Sequence, residues 1–369
     1  MMLKQKIITE IADKGPMTIE RYMGLCLNDK EEGYYKKQQA FGTKGDFITA
    51  PEISQMFGEI LAIWMIQIWQ KQSIQTNFTL CEIGPGQGTL MFDILYTIKK
   101  LAPDYLKKSE IILIETSPRL TKIQKEKLSS YDLPICWQTS FHKIKDQPLF
   151  LIANELLDAL PIRQFILKKQ KLFERKVQYD SQKEKFFFIE DTKQTHTSYN
   201  TAFSLIEQNY CGIIEDSPQR DNLIKDISQF IAKNGGAALF VDYGSLTPAF
   251  GDTLQAVLQH NYHPVLEDPG LCDLTAHVDF YSLAKTATEC QCAAFGMTQG
   301  DFLLKLGLLE RAQNLGYKKN PHIQQQIINA VHRLAAPDEM GQLFKVLMLC
   351  QKQDTYLPFT EKERYIFTE

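Results

Sequence analysis

Glu82-Ile83-Gly84-Pro85-Gly86-Gln87-Gly88-Thr89 sets one acid and three alternating glycines directly behind an apolar run at 78–83. Leu90, Ile94 and Leu95 then follow at helical spacing, so the stretch reads as a strand, a glycine turn and a helix start. Glycine permits the tight turn and lets a ligand approach the backbone closely. Glu82 lies at the carboxyl end of the strand, where open α/β sheets bind ligands. A dinucleotide fingerprint carries its third glycine three residues after the second. Thr89 holds that place, and the third glycine comes one residue early, at Gly88. No Gly-Lys-Ser/Thr ends the turn, which excludes a phosphate-binding P-loop. An ordinary strand-to-helix turn is the alternative.

Further acids stand at the ends of the next strands. Glu115 closes an apolar run at 110–115, where an acid can accept hydrogen bonds from ribose hydroxyls. The alternative is a helix-start acid beside Ser117-Pro118. Asn154-Glu155-Leu156-Leu157-Asp158 follows another apolar run, at 149–154. On a helical turn Glu155 and Asp158 share a face. Two carboxylates there suit a cation, and a guanidinium offers them a fork of donors. Dipole compensation at a helix start would also explain them. His277, flanked by Asp273 and Asp279, is a candidate catalytic group or a satisfied structural histidine. Asp46, Phe47 and Thr49 sit in a loop with Gly42 and Gly45, ahead of a helix start at Pro51-Glu52. They are expected to fold over the ligand site as a lid.

The elements that must position these residues follow the chain's hydrophobic pattern. Residues 3–27 read as two short helices, the second capped by Thr18, and a longer helix follows through Phe57 and Trp64. From 78 onward strands at 78–83, 110–115, 134–137 and 149–154 alternate with helices at 88–101, 118–129 and near 155–160. That alternation predicts an α/β fold, a parallel sheet with helices on both faces. Three short strands across 164–190 break the rhythm as an antiparallel insert. The sheet resumes at 237–243 after a helix at 218–233. Residues 250–338 read as helical and loop-rich, and a last strand pair is expected at 343–350 and 364–367. The expected organisation is an N-terminal helical region with the loop at 1–77, then one domain at 78–369. That domain carries inserts at 164–215 and 250–338.

Composition narrows the chemistry. The formal net charge of −3 over 369 residues gives no basic excess for nucleic acid or an anionic membrane. The most apolar helix, at 60–68, is too short to span a bilayer, which needs about 20 residues. Of eight cysteines only Cys290 and Cys292 are close, and that spacing is poor for zinc, so no metal site is expected. Scattered cysteines fit a reducing compartment. The start of the chain reads as helix with acids and not as a signal or transit peptide, so a cytoplasmic location is expected.

The acid before G-x-G-x-G resembles the first motif of S-adenosylmethionine-dependent methyltransferases. Several segments in order resemble one family of them, the MidA-type methyltransferases, which include the mitochondrial complex I assembly methyltransferase and bacterial relatives. They are Gly45-Asp46-Phe47-Ile48-Thr49-Ala50-Pro51-Glu52-Ile53-Ser54, residues 82–88 and 154–161, Val241-Asp242-Tyr243-Gly244, Gly251-Asp252-Thr253-Leu254, residues 273–280, Thr298-Gln299-Gly300 and Glu339-Met340-Gly341. The resemblance implies a Rossmann-like seven-stranded class I methyltransferase fold with N-terminal helices and inserted segments, and S-adenosyl-L-methionine as methyl donor. By motif it places Glu82, Gly84, Pro85, Gly86, Gly88, Glu115, Ser117 and Asn154 at the cofactor. Glu155 and Asp158, with His277, fall at the acceptor. For the eukaryotic members it implies symmetric dimethylation of an arginine in a complex I subunit. A protein substrate is thus the expected partner, and a homodimer the assembly to test. A small-molecule methyltransferase and a non-catalytic assembly chaperone remain as alternatives.

Overall fold

The computed structural model describes residues 2–37, 49–195, 211–248 and 250–367. The chain divides into two compact units, each assembled from three separate segments.

The central-sheet unit takes Ile48–Leu156, Leu223–Leu246 and Leu283–Glu369. Its strands are β1 (Phe78–Ile83), β2 (Ser109–Ile114), β3 (Ile135–Gln138), β4 (Leu149–Asn154), β5 (Gly236–Ser245), β6 (Cys292–Thr298) and β7 (Phe344–Gln351). They lie in the order β6-β7-β5-β4-β1-β2-β3. Strands β1 to β5 pair in parallel, and β7 runs antiparallel to both β5 and β6. These seven strands form a mostly parallel sheet, as the resemblance implies. All six residues of β1 are buried, as a strand covered on both faces must be. Three helices matter for the site: α1 (Gln55–Gln72), α2 (Thr89–Leu101) and α3 (Pro118–Leu128). Helix α1 is apolar nearly all round and packs into the sheet core with Phe57, Ile60, Leu61 and Trp64.

The hairpin unit takes Met1–Phe47, Leu157–Asn222 and Thr247–Ser282. Antiparallel strands Arg163–Lys168, Lys171–Asp180, Lys185–Thr195 and Gly212–Asp216 form its main sheet, so the insert at 164–190 is indeed antiparallel. A second sheet joins Gln255–Leu258 to Asn261–His263 and Asp273–Thr275. The unit has its own apolar core, in which Leu3, Ile7, Tyr22 and Met23 pack with Ile162, Val177 and Leu274.

Four expectations need correction. The chain does not divide at 77/78. The helices at Leu3–Lys14 and Ile19–Asn28 share a core with the hairpins, whereas α1 is buried in the sheet core. Residues 250–338 are not only helix and loop, because they contain the second small sheet and β6. The partners of β7 are β5 and β6, and the tail contributes only a bridge between Arg364 and Phe295. Residues 155–160 form no helix. Glu155 has a left-handed backbone, φ 49°, and a turn closes from Leu160 N–H to the Leu157 carbonyl. The shared helical face assumed for Glu155 and Asp158 is therefore absent.

Candidate active site

The turn after β1 is built on left-handed glycines. Gly84, Gly86 and Gly88 have φ of 68°, 51° and 78°, values that L side chains rarely adopt. Gly84 N–H donates to the Ile114 carbonyl at 3.0 Å, which ties the turn to β2. Gly88 N–H reaches back to Pro85 at 2.7 Å, and the Gly88 carbonyl accepts the first bond of α2, from Phe92 N–H. A Cβ on Gly84 would stand 3.0 Å from Leu156 Cδ1.

Glu115 follows β2, and its carboxylate is held from two sides. Ser117 N–H donates to Oε1 at 2.7 Å and the Gln124 amide donates to Oε2 at 3.0 Å. Gln124 is fully buried on α3, and its amide nitrogen also donates to the Gly86 carbonyl at 2.8 Å. Its oxygen accepts from Trp137 Nε1 on β3 at 2.9 Å. One side chain thereby links the glycine turn, the acid after β2 and β3. Sequence reasoning missed Gln124 and Trp137, because a glutamine on a polar helix carries no signal of burial. Ser117 caps α3, accepting from Leu120 N–H at 3.5 Å.

Strands β1 and β4 are neighbours, yet the chain leaves β1 toward β2 and β3 on one side and returns at β4 on the other. Their carboxyl ends flank the topological switch point, where such sheets bind ligands. Each end holds a buried polar atom with no hydrogen-bond partner among the described residues, Glu82 Oε2 and Asn154 Oδ1. Burial pushes the Glu82 carboxyl up to about 8, and the nearby Glu115 charge adds to the shift. Asn154 Nδ2 donates to Glu155 Oε1 at 3.0 Å, and Ala50 N–H reaches the same oxygen at 3.0 Å. Glu155 N–H is fixed on the Val241 carbonyl of β5 at 2.8 Å. Thr49 is the N-cap residue of the short helix Ala50–Ile53 and makes no side-chain capping bond. Asp46 and Phe47 lie outside the described residues.

Asp158 and His277 belong to the hairpin unit. Asp158 is buried, and its carbonyl accepts from Ala276 N–H at 3.1 Å. The His277 amide donates to Thr253 Oγ1 at 2.9 Å. Both backbones are gripped by Arg220, which no sequence motif singles out. Its buried guanidinium donates to the carbonyls of Leu157 at 2.7 Å, His277 at 2.8 Å, Ala276 at 3.0 Å and Asp158 at 3.3 Å. Thr253 in turn donates through its amide and hydroxyl to Glu215, which also accepts from Gln164 Nε2 at 2.7 Å. Burial raises the Glu215 pKa above its ordinary value. The helix that follows His277 begins at Phe280, and Asp279 Oδ1 accepts from Ser282 N–H at 3.1 Å in its first turn.

Among the described residues no cluster of three or more His, Cys, Asp or Glu could hold a metal. None of their helices is long and apolar enough to cross a membrane.

Residues 60–298 match the family described as "Putative S-adenosyl-L-methionine-dependent methyltransferase". The chain is 34% identical over 371 residues to "Protein arginine methyltransferase NDUFAF7, mitochondrial" of Danio rerio, covering 93% of this chain and 86% of that protein. The human protein of the same name is also 34% identical, over 94% of this chain and 83% of its own. The fold superposes on a crystal structure of a Burkholderia thailandensis protein bound to S-adenosyl-homocysteine with TM-score 0.82. The two are 26% identical over 96% of this chain and 93% of that one.

Proposed function

This chain belongs to the S-adenosyl-L-methionine-dependent methyltransferase family, and we propose that its methyl acceptor is an arginine guanidinium on a protein. The cofactor is S-adenosyl-L-methionine, and the residues of the central-sheet unit fit it. The glycine turn leaves backbone exposed at Gly84. Glu115 offers its clamped carboxylate to a ribose diol. Glu82 Oε2 and Asn154 Oδ1 are buried acceptors that a cationic ligand would satisfy. When bound, the cofactor supplies an electrophilic methyl group on a sulfonium.

The observation that carries the acceptor reading is Glu155. It stands at the carboxyl end of β4, beside the switch-point crevice, with one carboxylate oxygen fixed by Ala50 N–H and Asn154 Nδ2. A carboxylate so held would accept from a guanidinium fork and orient one nitrogen for attack. Its charge would also offset the positive charge of the acceptor while an N–H proton departs. Asp158 and His277 enter the reading from their sequence motifs, and Asp158 is tested singly. The names of the Danio rerio and human relatives, both protein arginine methyltransferases, support the same acceptor class. The reading extends to symmetric dimethylation, to a respiratory complex I subunit as target, and to a reducing cytoplasm, where the eight free thiols suit the compartment.

An arginine-peptide array with labelled cofactor tests the acceptor, together with mass spectrometry of host proteins with and without the gene. Label on arginine peptides and a lost methyl-arginine are expected. Label confined to small-molecule extracts would overturn the reading. Absence of cofactor binding would favour a non-catalytic chaperone.

A further inference from the structure

Within the central-sheet unit the short helix Ala50–Ile53 is tied to two other elements. Its first residue donates from Ala50 N–H to Glu155 Oε1 after β4. Its third, Glu52, accepts from the Thr89 hydroxyl at 2.6 Å. Thr89 is the first residue of α2, directly behind the glycine turn. The Thr89 hydroxyl also accepts from Lys127 Nζ on α3. A hydroxyl has one proton to give, so the two contacts assign its roles: the proton goes to the Glu52 carboxylate and a lone pair takes the ammonium donor. Lys127, Thr89 and Glu52 thus form a charge-assisted relay from α3, across the first residue of α2, to the 50–53 helix.

The two anchors sit at the carboxyl ends of adjacent strands, β1 through its glycine turn and β4 through Glu155. Between those ends lies the switch-point crevice. We propose that Glu52, Thr89 and Lys127 are positioning residues, whose relay clasps the 50–53 helix across the crevice and thereby sets cofactor affinity. The departure of this glycine motif from the dinucleotide fingerprint gains a use here. A third glycine at 89 would permit close helix packing, whereas threonine supplies the hydroxyl that holds the clasp. The inference rests on the cofactor and not on the acceptor being arginine, so failure of the arginine reading leaves it standing.

The test uses the full chain and S-adenosyl-homocysteine as ligand. Thr89→Val keeps the side chain's shape and removes the hydroxyl, and Thr89→Ser keeps the hydroxyl. Calorimetry should show binding weakened about tenfold in Thr89→Val, the loss expected for one charge-assisted hydrogen bond, and changed less than about threefold in Thr89→Ser. Amide hydrogen exchange at Ala50, Glu52 and Ile53 should speed up in Thr89→Val and slow on ligand binding in the wild type. Wild-type affinity in a folded Thr89→Val protein would overturn the proposal. So would weaker binding with unchanged exchange at 50–53, because the hydroxyl would then act elsewhere. Should Thr89→Val fail to fold, Lys127→Met is judged on the same two readouts.

Discussion

Each unit is organised by one long, buried polar side chain, and the two side chains work in opposite ways. In the central-sheet unit Gln124 is a neutral amide that gives and takes hydrogen bonds among groups from the glycine turn, the acid after β2, and β3. Those groups are also fixed by the sheet ladder and by left-handed glycines. In the hairpin unit Arg220 is a cation gripping four backbone carbonyls, at 157, 158, 276 and 277, across segments distant in sequence. Redundant backbone geometry holds the first region, while a single charged group holds much of the second. The hairpin unit should therefore be the more fragile under single substitutions.

Replacing Arg220 is the largest test of that contrast. Arg220→Met leaves buried carbonyls without their donor and should cost at least ~3 kcal/mol of stability, measured by urea unfolding. Arg220→Lys keeps the charge but loses the fork, and should recover only part of the loss. A cost below ~1 kcal/mol for Arg220→Met would mean that the hairpin unit is as redundantly held as the sheet.

The same contrast explains what could be read from the sequence. Strands β1, β2 and β4 were legible because buried parallel strands are short continuous apolar runs, and the glycine turn because its left-handed conformations exclude most other residues. Strand β6 was not, since Ala293, Ala294 and Gly296 lack the bulky β-branched signature of a strand. Gln124 and Arg220 were invisible because polar residues on helices are read as exposed, and only tertiary contacts reveal their burial. The left-handed backbone of Glu155 also overrode a helical pattern in 155–160 that local spacing alone suggested. The division into units escaped because each is assembled from three separated segments.

Second in expected size is the pH dependence carried by Glu82. Its pKa is about 8 in the folded protein against an ordinary 4.5. Between those values the folded state keeps a proton that the unfolded chain has released. Stability should therefore fall as pH rises through that window and level off above it, by on the order of a few kcal/mol in total. Glu82→Gln should flatten this slope in ligand-free protein, compared by unfolding at about pH 5 and about pH 8.5. An unchanged slope would assign the proton elsewhere and make the β1 end electrostatically unremarkable beside Glu215 of the hairpin unit.

Glu155 sharpens the comparison at the chemical step. Glu155→Gln keeps an oxygen for Ala50 N–H and loses the charge, whereas Glu155→Ala loses both. Methyl transfer should drop about ten- to a hundredfold in either variant, with S-adenosyl-homocysteine affinity reduced only in Glu155→Ala. Asp158→Asn should lower turnover more mildly. Normal turnover in both single variants would return these acids to structural roles.

The smallest expected effect belongs to Gln124, and it decides whether the sheet unit is held as redundantly as argued. Gln124→Leu fills similar volume and removes the partner of Glu115 Oε2, the Gly86 carbonyl and Trp137 Nε1. Glu115 keeps the Ser117 amide on its other oxygen, and the turn keeps its bonds to Ile114 and within itself. The loss should accordingly stay near ~1–2 kcal/mol, below that of Arg220→Met, although three partners are affected. Cofactor affinity should weaken by less than about tenfold, because Glu115 loses one of two restraints and none of its charge. Gln124→Glu is the sharper variant. It sets a second carboxylate against Glu115 and removes the donor to Gly86, so like-charge repulsion should raise the pKa of the pair. Its stability deficit should then shrink steeply as pH falls, whereas the Gln124→Leu deficit, from one lost donor to Glu115, should shrink less. A deficit in Gln124→Leu as large as that of Arg220→Met would show that both units depend equally on one buried polar side chain.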